Sequence, residues 1–154
     1  EATMLVHKRG LRLLLALGTG LLCGLSLGSA SAQVIKLISD EEARLPAAAS
    51  MAARGVTRGP GVKLLSPEAG KKDGLPLKLA FEPRGSAQID TASVQVTYLK
   101  SPTVDLTPRL KAAIRPEGID LSAVAMPPGE HPIRVSVKDD EGRLGTAVIT
   151  LKAQ

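Results

Sequence analysis

The chain reads as an all-β sandwich of seven short strands, and three observations point there. Apolar and polar residues alternate with a period of two in several separate runs, as they do in strands with one buried face. Clusters of Gly, Pro and Asp divide these runs at short, regular spacings. The intervening loops have no room for the helical crossovers that a parallel α/β sheet requires.

Val62–Leu65 gives the first strand, closed by Ser66-Pro67-Glu68-Ala69-Gly70. Lys71-Lys72-Asp73-Gly74 is a turn. Leu75, Leu77, Leu79 and Phe81 then alternate with Pro76, Lys78, Ala80 and Glu82, and Pro83 ends this second strand. Ile89–Ser93 predicts a helical turn, and Val94, Val96 and Tyr98 face one way in a third strand. Pro102 and Pro108 bracket a loop or short edge segment at Val104–Leu106, where proline is tolerated. Leu110, Ala112 and Ile114 predict a fourth strand, and Ile119 and Leu121, extending toward Val124, a fifth.

The last two strands form a hairpin between Met126 and Leu151. Ile133, Val135 and Val137 alternate with Arg134, Ser136 and Lys138. Asp139-Asp140-Glu141-Gly142 supplies the turn, with Gly142 free to take a positive φ. Ala147, Ile149 and Leu151 alternate on the return. A hairpin alone is marginal in water, so a second sheet must cover its apolar face.

Residues 1–32 read as a secretory signal peptide. His7 to Arg12 is a basic start, Leu13–Leu27 an apolar core, and Ala30-Ser31-Ala32 a cleavage site that would leave Gln33 first. The apolar run is shorter than the ~20 residues a membrane span needs, and Gly18, Gly20 and Gly24 interrupt it, so no stable span is expected after cleavage. Cys23 raises a lipoprotein alternative, but Leu22 stands where a lipobox has a small residue. Without Cys23 the remaining chain has no cysteine, which excludes a disulfide, a thiolate metal site and a thiol nucleophile. Periplasmic or secreted localisation follows.

Residues 33–60 read as a lead-in, with a short helix and a Gly/Pro linker. Ser39 with Glu42 forms a capping box for a helix across about 40–52, with Pro46 placed to break or delay it. Its alanines offer little area to bury, which predicts a flexible arm. Arg54–Gly61 is the linker. Arg58-Gly59-Pro60-Gly61 is a turn and not a phosphate cradle, since Pro60 has no N–H to offer. Residues 61–154 form the sandwich.

Composition narrows function further. Phe81 and Tyr98 are the only aromatic residues, too few for stacking nucleic-acid bases or sugars. Lys8, Arg9, Arg12 and Glu1 fall in the leader, so the formal charge of +5 becomes +3 beyond it. Those charges are scattered as on solvated strand faces, and no nucleic-acid partner is expected.

Three pieces resemble the bacterial immunoglobulin-like and fibronectin-type-III-like modules of exported proteins. They are Ser66-Pro67 with Gly70, Leu77–Pro83, and Pro127-Pro128-Gly129-Glu130-His131 running through Ile133–Asp139 to Gly142. The resemblance covers about 61–154 and implies a seven-stranded immunoglobulin-like sandwich. It carries little about function, because this fold hosts many roles. The disulfide and core Trp of antibody domains are absent. The start also resembles that of periplasmic copper-resistance sandwich proteins, whose metal site uses an N-terminal histidine and methionines. Here only His131, Met51 and Met126 follow the leader, too few ligands for copper.

His131 is the one histidine beyond the leader, so any histidine chemistry must pass through it. Its place beside Pro128 and Gly129 is a sheet corner, where related sandwiches put a Tyr that hydrogen-bonds the backbone. A structural corner role is therefore expected for His131, Pro128 and Gly129. Asp139, Asp140 and Glu141 are weak candidates for a hard cation such as calcium, but adjacent acids in a tight turn do not converge. No catalytic residues and no cofactor are expected. The sequence thus predicts an exported, non-enzymatic module for protein–protein interaction or a structural role in the cell envelope. Its partner would bind through an edge strand such as Val62–Leu65 or Val104–Leu106. The alternative is a periplasmic protein that binds a small ligand or a metal (calcium or copper).

Overall fold

A computed structural model of the chain describes residues 34–48 and 58–154. The expected signal peptide and residues 49–57 of the lead-in lie outside the described residues. In chain order the elements are β1 (Ile35–Lys36), α1 (Asp40–Arg44), β2 (Gly61–Leu64), β3 (Ala69–Gly70), β4 (Leu75–Glu82), β5 (Ile89–Tyr98) and β6 (Val104–Asp105). Then come α2 (Thr107–Leu110), a 3-10 turn (Lys111–Ala113), β7 (Ile114–Arg115), β8 (Gly118–Ala125), β9 (Gly129–Asp139) and β10 (Leu144–Ala153).

The strands form two mixed sheets, the architecture of an all-β sandwich. One sheet runs β1-β8-β4-β2, with β7 also on β8, and the other runs β3-β10-β9-β5-β6. The alternation read from the sequence sets which face each strand buries. Leu75, Leu77, Leu79 and Phe81 of β4 point inward, and so do Ile133, Val135 and Val137 of β9 and Ile149 and Leu151 of β10. With Val94, Val96, Tyr98, Ile119 and Val124 they make one apolar core shared by both sheets. Burial of such side chains, worth about 1.5–3 kcal/mol each, is what holds the layers together.

The outward face of the first sheet carries paired charges. On the first sheet Lys63 pairs with Glu82 at 2.6 Å and Lys78 with Asp120 at 3.1 Å across neighbouring strands. These exposed pairs fix little stability, about 0–1 kcal/mol apiece. They do keep that face wet.

Three sequence expectations need correction. The fourth strand at Leu110–Ile114 is instead α2 followed by the 3-10 turn, with only Ile114–Arg115 extended. Pro108 sits in the first turn of α2, where its missing N–H costs nothing. Leu110 and Ala113, three residues apart, are the buried pair, whereas Ala112 is exposed. A helical period had passed for a strand period.

Ile89–Ser93 is no helical turn but the first half of β5. Its pairing with β9 shifts register between Asp90 and Gln95. There the Asp90 carboxylate accepts from Ala92 N–H at 3.0 Å and Ser93 Oγ donates to Asp90 O at 2.6 Å. Such local side-chain bonds look like turn chemistry in a sequence.

The described part of the lead-in is also not a loose arm. β1 pairs parallel to β8, with Ile35 opposite Val124 and Lys36 opposite Ala125. Leu37 and Ile38 are fully buried in the common core. The capping box does form: Ser39 Oγ accepts from Glu42 N–H at 3.2 Å and Glu42 Oε2 accepts from Ser39 N–H at 2.8 Å. The helix stops at Arg44, short of the expected 52, because Pro46 turns the preceding residue extended.

Candidate functional site

The corner between β8 and β9 holds the most distinctive chemistry. Met126-Pro127-Pro128 leads into Gly129, whose φ of +131° suits glycine. His131, two residues on, points inward and is 2% exposed. Its Nε2 lies 2.7 Å from the Pro127 carbonyl and its Nδ1 lies 2.8 Å from Tyr98 Oη. A carbonyl only accepts, so Nε2 carries the ring proton and Nδ1 takes the hydroxyl proton of Tyr98. The two rings are tilted by 54° with centroids 5.7 Å apart, a favourable aromatic contact.

Burial lowers the His131 pKa; the Pro127 bond opposes that, and the charge of Lys100 adds to it. Burial, followed by the negative charge of Glu42, pushes Tyr98 up to about 12. Both groups are therefore neutral at ordinary pH. With both ring nitrogens engaged inside the core, this histidine ties three chain segments together and has no free lone pair for a substrate.

The acidic turn is likewise spent internally. Asp139 is buried and accepts from Arg143 N–H and Arg143 Nε, both at 2.8 Å. Burial pushes its carboxyl up, but the Arg143 bonds outweigh that and hold it below the usual range. Asp140 Oδ1 accepts from Gln88 N–H at 3.1 Å, and Glu141 pairs with Arg143 Nη1 at 3.2 Å. Asp139 and Glu141 thus both meet the Arg143 guanidinium, whose positive charge occupies the place a cation would take, and Asp140 turns away to Gln88. Gly142, with a φ of +76°, closes the turn by donating to Asp139 O at 2.9 Å. Among the described residues, no group of three or more His, Cys, Asp and Glu side chains is placed to hold a metal ion.

A cavity of about 310 Å³ lies beside the corner, lined by Lys36, Asp40, Lys72, Asp73, Met126 and Pro127 among others. Lys36 is 3.4 Å from Asp40 and Lys72 is 3.9 Å from Asp73, so the charges cancel pairwise on exposed side chains. Nothing there converges on one ligand atom.

One cluster escaped the sequence reading. Glu42 of α1 and Arg109 of α2 form a two-pronged ion pair at 2.6 and 2.8 Å, and Arg109 also donates to Leu37 O at 2.6 Å. The Arg109 bond chiefly holds the Glu42 pKa at about 2, against burial. The partners are 67 residues apart, so no local motif could have announced them.

The outer face of the second sheet is the other feature sequence reasoning passed over. Arg134 lies between Thr97 and Val148 in neighbouring strands. Its Nε is buried without a hydrogen-bond partner among the described residues. Leu144 and Val148, on the same outward side of β10, are 47% and 45% exposed. The expected edge segments do lie at sheet edges, as β2 and β6. However, β6 is only two residues long and β2 also packs alongside β10, which limits the free ladder either can offer.

No protein-family model, curated protein or solved structure matches the chain. Among the described residues, no helix is long and apolar enough to cross a membrane.

Proposed function

We propose that this chain is an exported, non-enzymatic immunoglobulin-like module that binds another protein of the periplasm or the extracellular space. The strand order supports the immunoglobulin-like part. β2, β4 and β8 are neighbours in one sheet and β10, β9, β5 and β6 in the other. The first strand divides between them, with β2 antiparallel to β4 and β3 parallel to β10. That is the order expected when the sheets of such a module are assembled through Greek-key connections.

The observation that carries the binding role is the outer face around Arg134. Arg134, whose Nε has no hydrogen-bond partner among the described residues, stands beside exposed Val148, and Leu144 lies two rows away. Arginine with apolar neighbours is the composition of interface centres. The face supplies what the short edges β2 and β6 do not, so docking by the sheet face is preferred over addition of a strand.

The test is an affinity capture from the native envelope using residues 33–154. A stoichiometric partner should be recovered, lost with Arg134→Glu and kept with Lys63→Glu. A partner indifferent to Arg134→Glu would overturn the assignment of the face. Calorimetric titration that gives micromolar heats with calcium, copper or simple sugars would favour the alternative, a small-ligand or metal-binding protein.

A further inference from the structure

Residues 34–48 form a strap laid across the sandwich, and its manner of attachment carries an inference independent of the partner surface just described. β8 presents one side to β4 along most of its length. Its other side is shared: β7 takes Gly118 and Ile119, and β1 takes Val124 and Ala125. Leu37 N–H extends the latter pairing by donating to Ala125 O at 2.8 Å. The place β1 fills is thus a strand-acceptor edge at one end of β8.

Below that edge lies the apolar seat. Leu37 and Ile38 are fully buried and belong to the same core cluster as Val124, Met126 and Leu110. Beyond it, the Ser39 cap turns the chain so that Glu42 meets Arg109, and Pro46 O accepts from Ser101 N–H at 2.9 Å. The strap therefore has a short parallel ladder, two anchoring side chains and one ionic latch. Every one of these contacts lies between the strap and the body of the sandwich, and none depends on which chain supplies the strap.

We propose that the groove along the end of β8 is a strand-acceptor site, and that its second occupant is the same strap from another copy of this chain. Exchange between two copies reproduces each contact made within one, so it requires no new surface. The segment is held by two ladder pairs, two buried side chains, the Glu42–Arg109 pair and bonds from Lys100, Ser101 and Ala48 at its far end, and a strap supplied by a second copy brings all of them.

The test uses the whole chain and a fluorescent peptide spanning residues 34–48. Leu37→Asp with Ile38→Asp empties the groove, and the peptide should bind this variant one to one and raise its melting temperature. The wild-type groove is already filled, so it should bind the peptide roughly a hundredfold more weakly. Light scattering should show a wild-type dimer fraction that rises with concentration and is missing from the double variant. A folded double variant that ignores the peptide, or a wild type monomeric at every concentration, overturns the proposal. If the double variant does not fold, Glu42→Gln takes its place: it weakens the latch from the strap's side and leaves Arg109 for the peptide, so the peptide should bind it more tightly than wild type, and equal binding overturns the proposal.

Discussion

Tyr98 donates its hydroxyl proton to His131 Nδ1 across 2.8 Å of buried core. The direction of that bond is fixed from the far side of the ring, where Nε2–H meets the Pro127 carbonyl at 2.7 Å. One histidine thereby joins the end of β5, the start of β9 and the proline corner between the sheets. In an all-β fold without a disulfide, such a cross-link sets how the two strands and the corner meet.

His131→Ala should remove this link and leave Tyr98 Oη without an acceptor. Cavity formation and the stranded hydroxyl together should cost about 2–4 kcal/mol. Tyr98→Phe should cost less, about 1–3 kcal/mol, because only the donor to Nδ1 is lost. The double variant should fall short of the sum by more than about 0.5 kcal/mol, as expected for groups in contact. Urea midpoints check all three. A His131→Ala melting temperature within a degree of wild type would show that the corner does not depend on the ring.

The same histidine should make the fold sensitive to mild acid. Its folded pKa is depressed below the ordinary value of 6.5, so the folded state binds the proton less well than the unfolded state. Its contribution to stability is therefore full above pH 6.5 and is lost as pH falls from there through the folded value. The groups facing it are Tyr98, which stays neutral, and Lys100, whose positive charge further opposes a second cation. Unfolding free energies measured by urea across this range should decline for wild type. They should stay flat through the same window for His131→Gln, which cannot titrate. Parallel curves would remove His131 from the acid response.

How far the fold could be read from the sequence depended on whether a signal was local. The alternation in β4, β9 and β10 is local, and there the inward faces in the structure are the ones the pattern indicates. The Ser39–Glu42 capping box is local too, and it forms. What failed was periodicity in runs too short to tell two from three, as at Leu110–Ile114. Side-chain bonds that imitate turns, as at Asp90–Ser93, misled in the same way. Leu37 and Ile38 form too short an apolar run to predict burial, and the alanines after them set the expectation for the whole lead-in. Glu42–Arg109 and Tyr98–His131 join residues far apart in the chain, so only the fold could bring them together.

The Glu42–Arg109 latch should matter at neutral pH and vanish in strong acid. The Glu42 pKa is lowered from 4.5 to about 2, so the folded state releases the proton more readily than the unfolded chain. Its contribution is present above pH 4.5 and is lost as pH falls toward 2. Arg109 is 34% exposed, and solvent screening limits the pair to about 1–2 kcal/mol. Arg109→Ala should therefore lose about that much more at pH 6 than near pH 2, where only its bond to Leu37 O is left to lose. Hydrogen exchange should show the amides of Leu37 and Ala43 affected first. Equal losses at both pH values would mean that Arg109 acts by packing alone.

Two glycines give the sharpest check on strand register. Gly118 opens β8 opposite Ala80 with a φ of +149°, and a Cβ there would run into the Leu79 carbonyl oxygen. That oxygen is backbone and cannot swing aside, and L side chains rarely adopt such a φ. Gly118→Ala should therefore destabilise by more than about 3 kcal/mol. Gly74, in the turn before β4, has no atom within 4 Å of an added Cβ and no left-handed φ. Gly74→Ala should change stability by less than about 0.5 kcal/mol, or raise it slightly by restricting the unfolded chain. Soluble yield and urea midpoints distinguish the two. A Gly118→Ala variant as stable as wild type would mean that β4 and β8 do not meet with Leu79 opposite Ile119, and the packing of the first sheet would have to be redrawn.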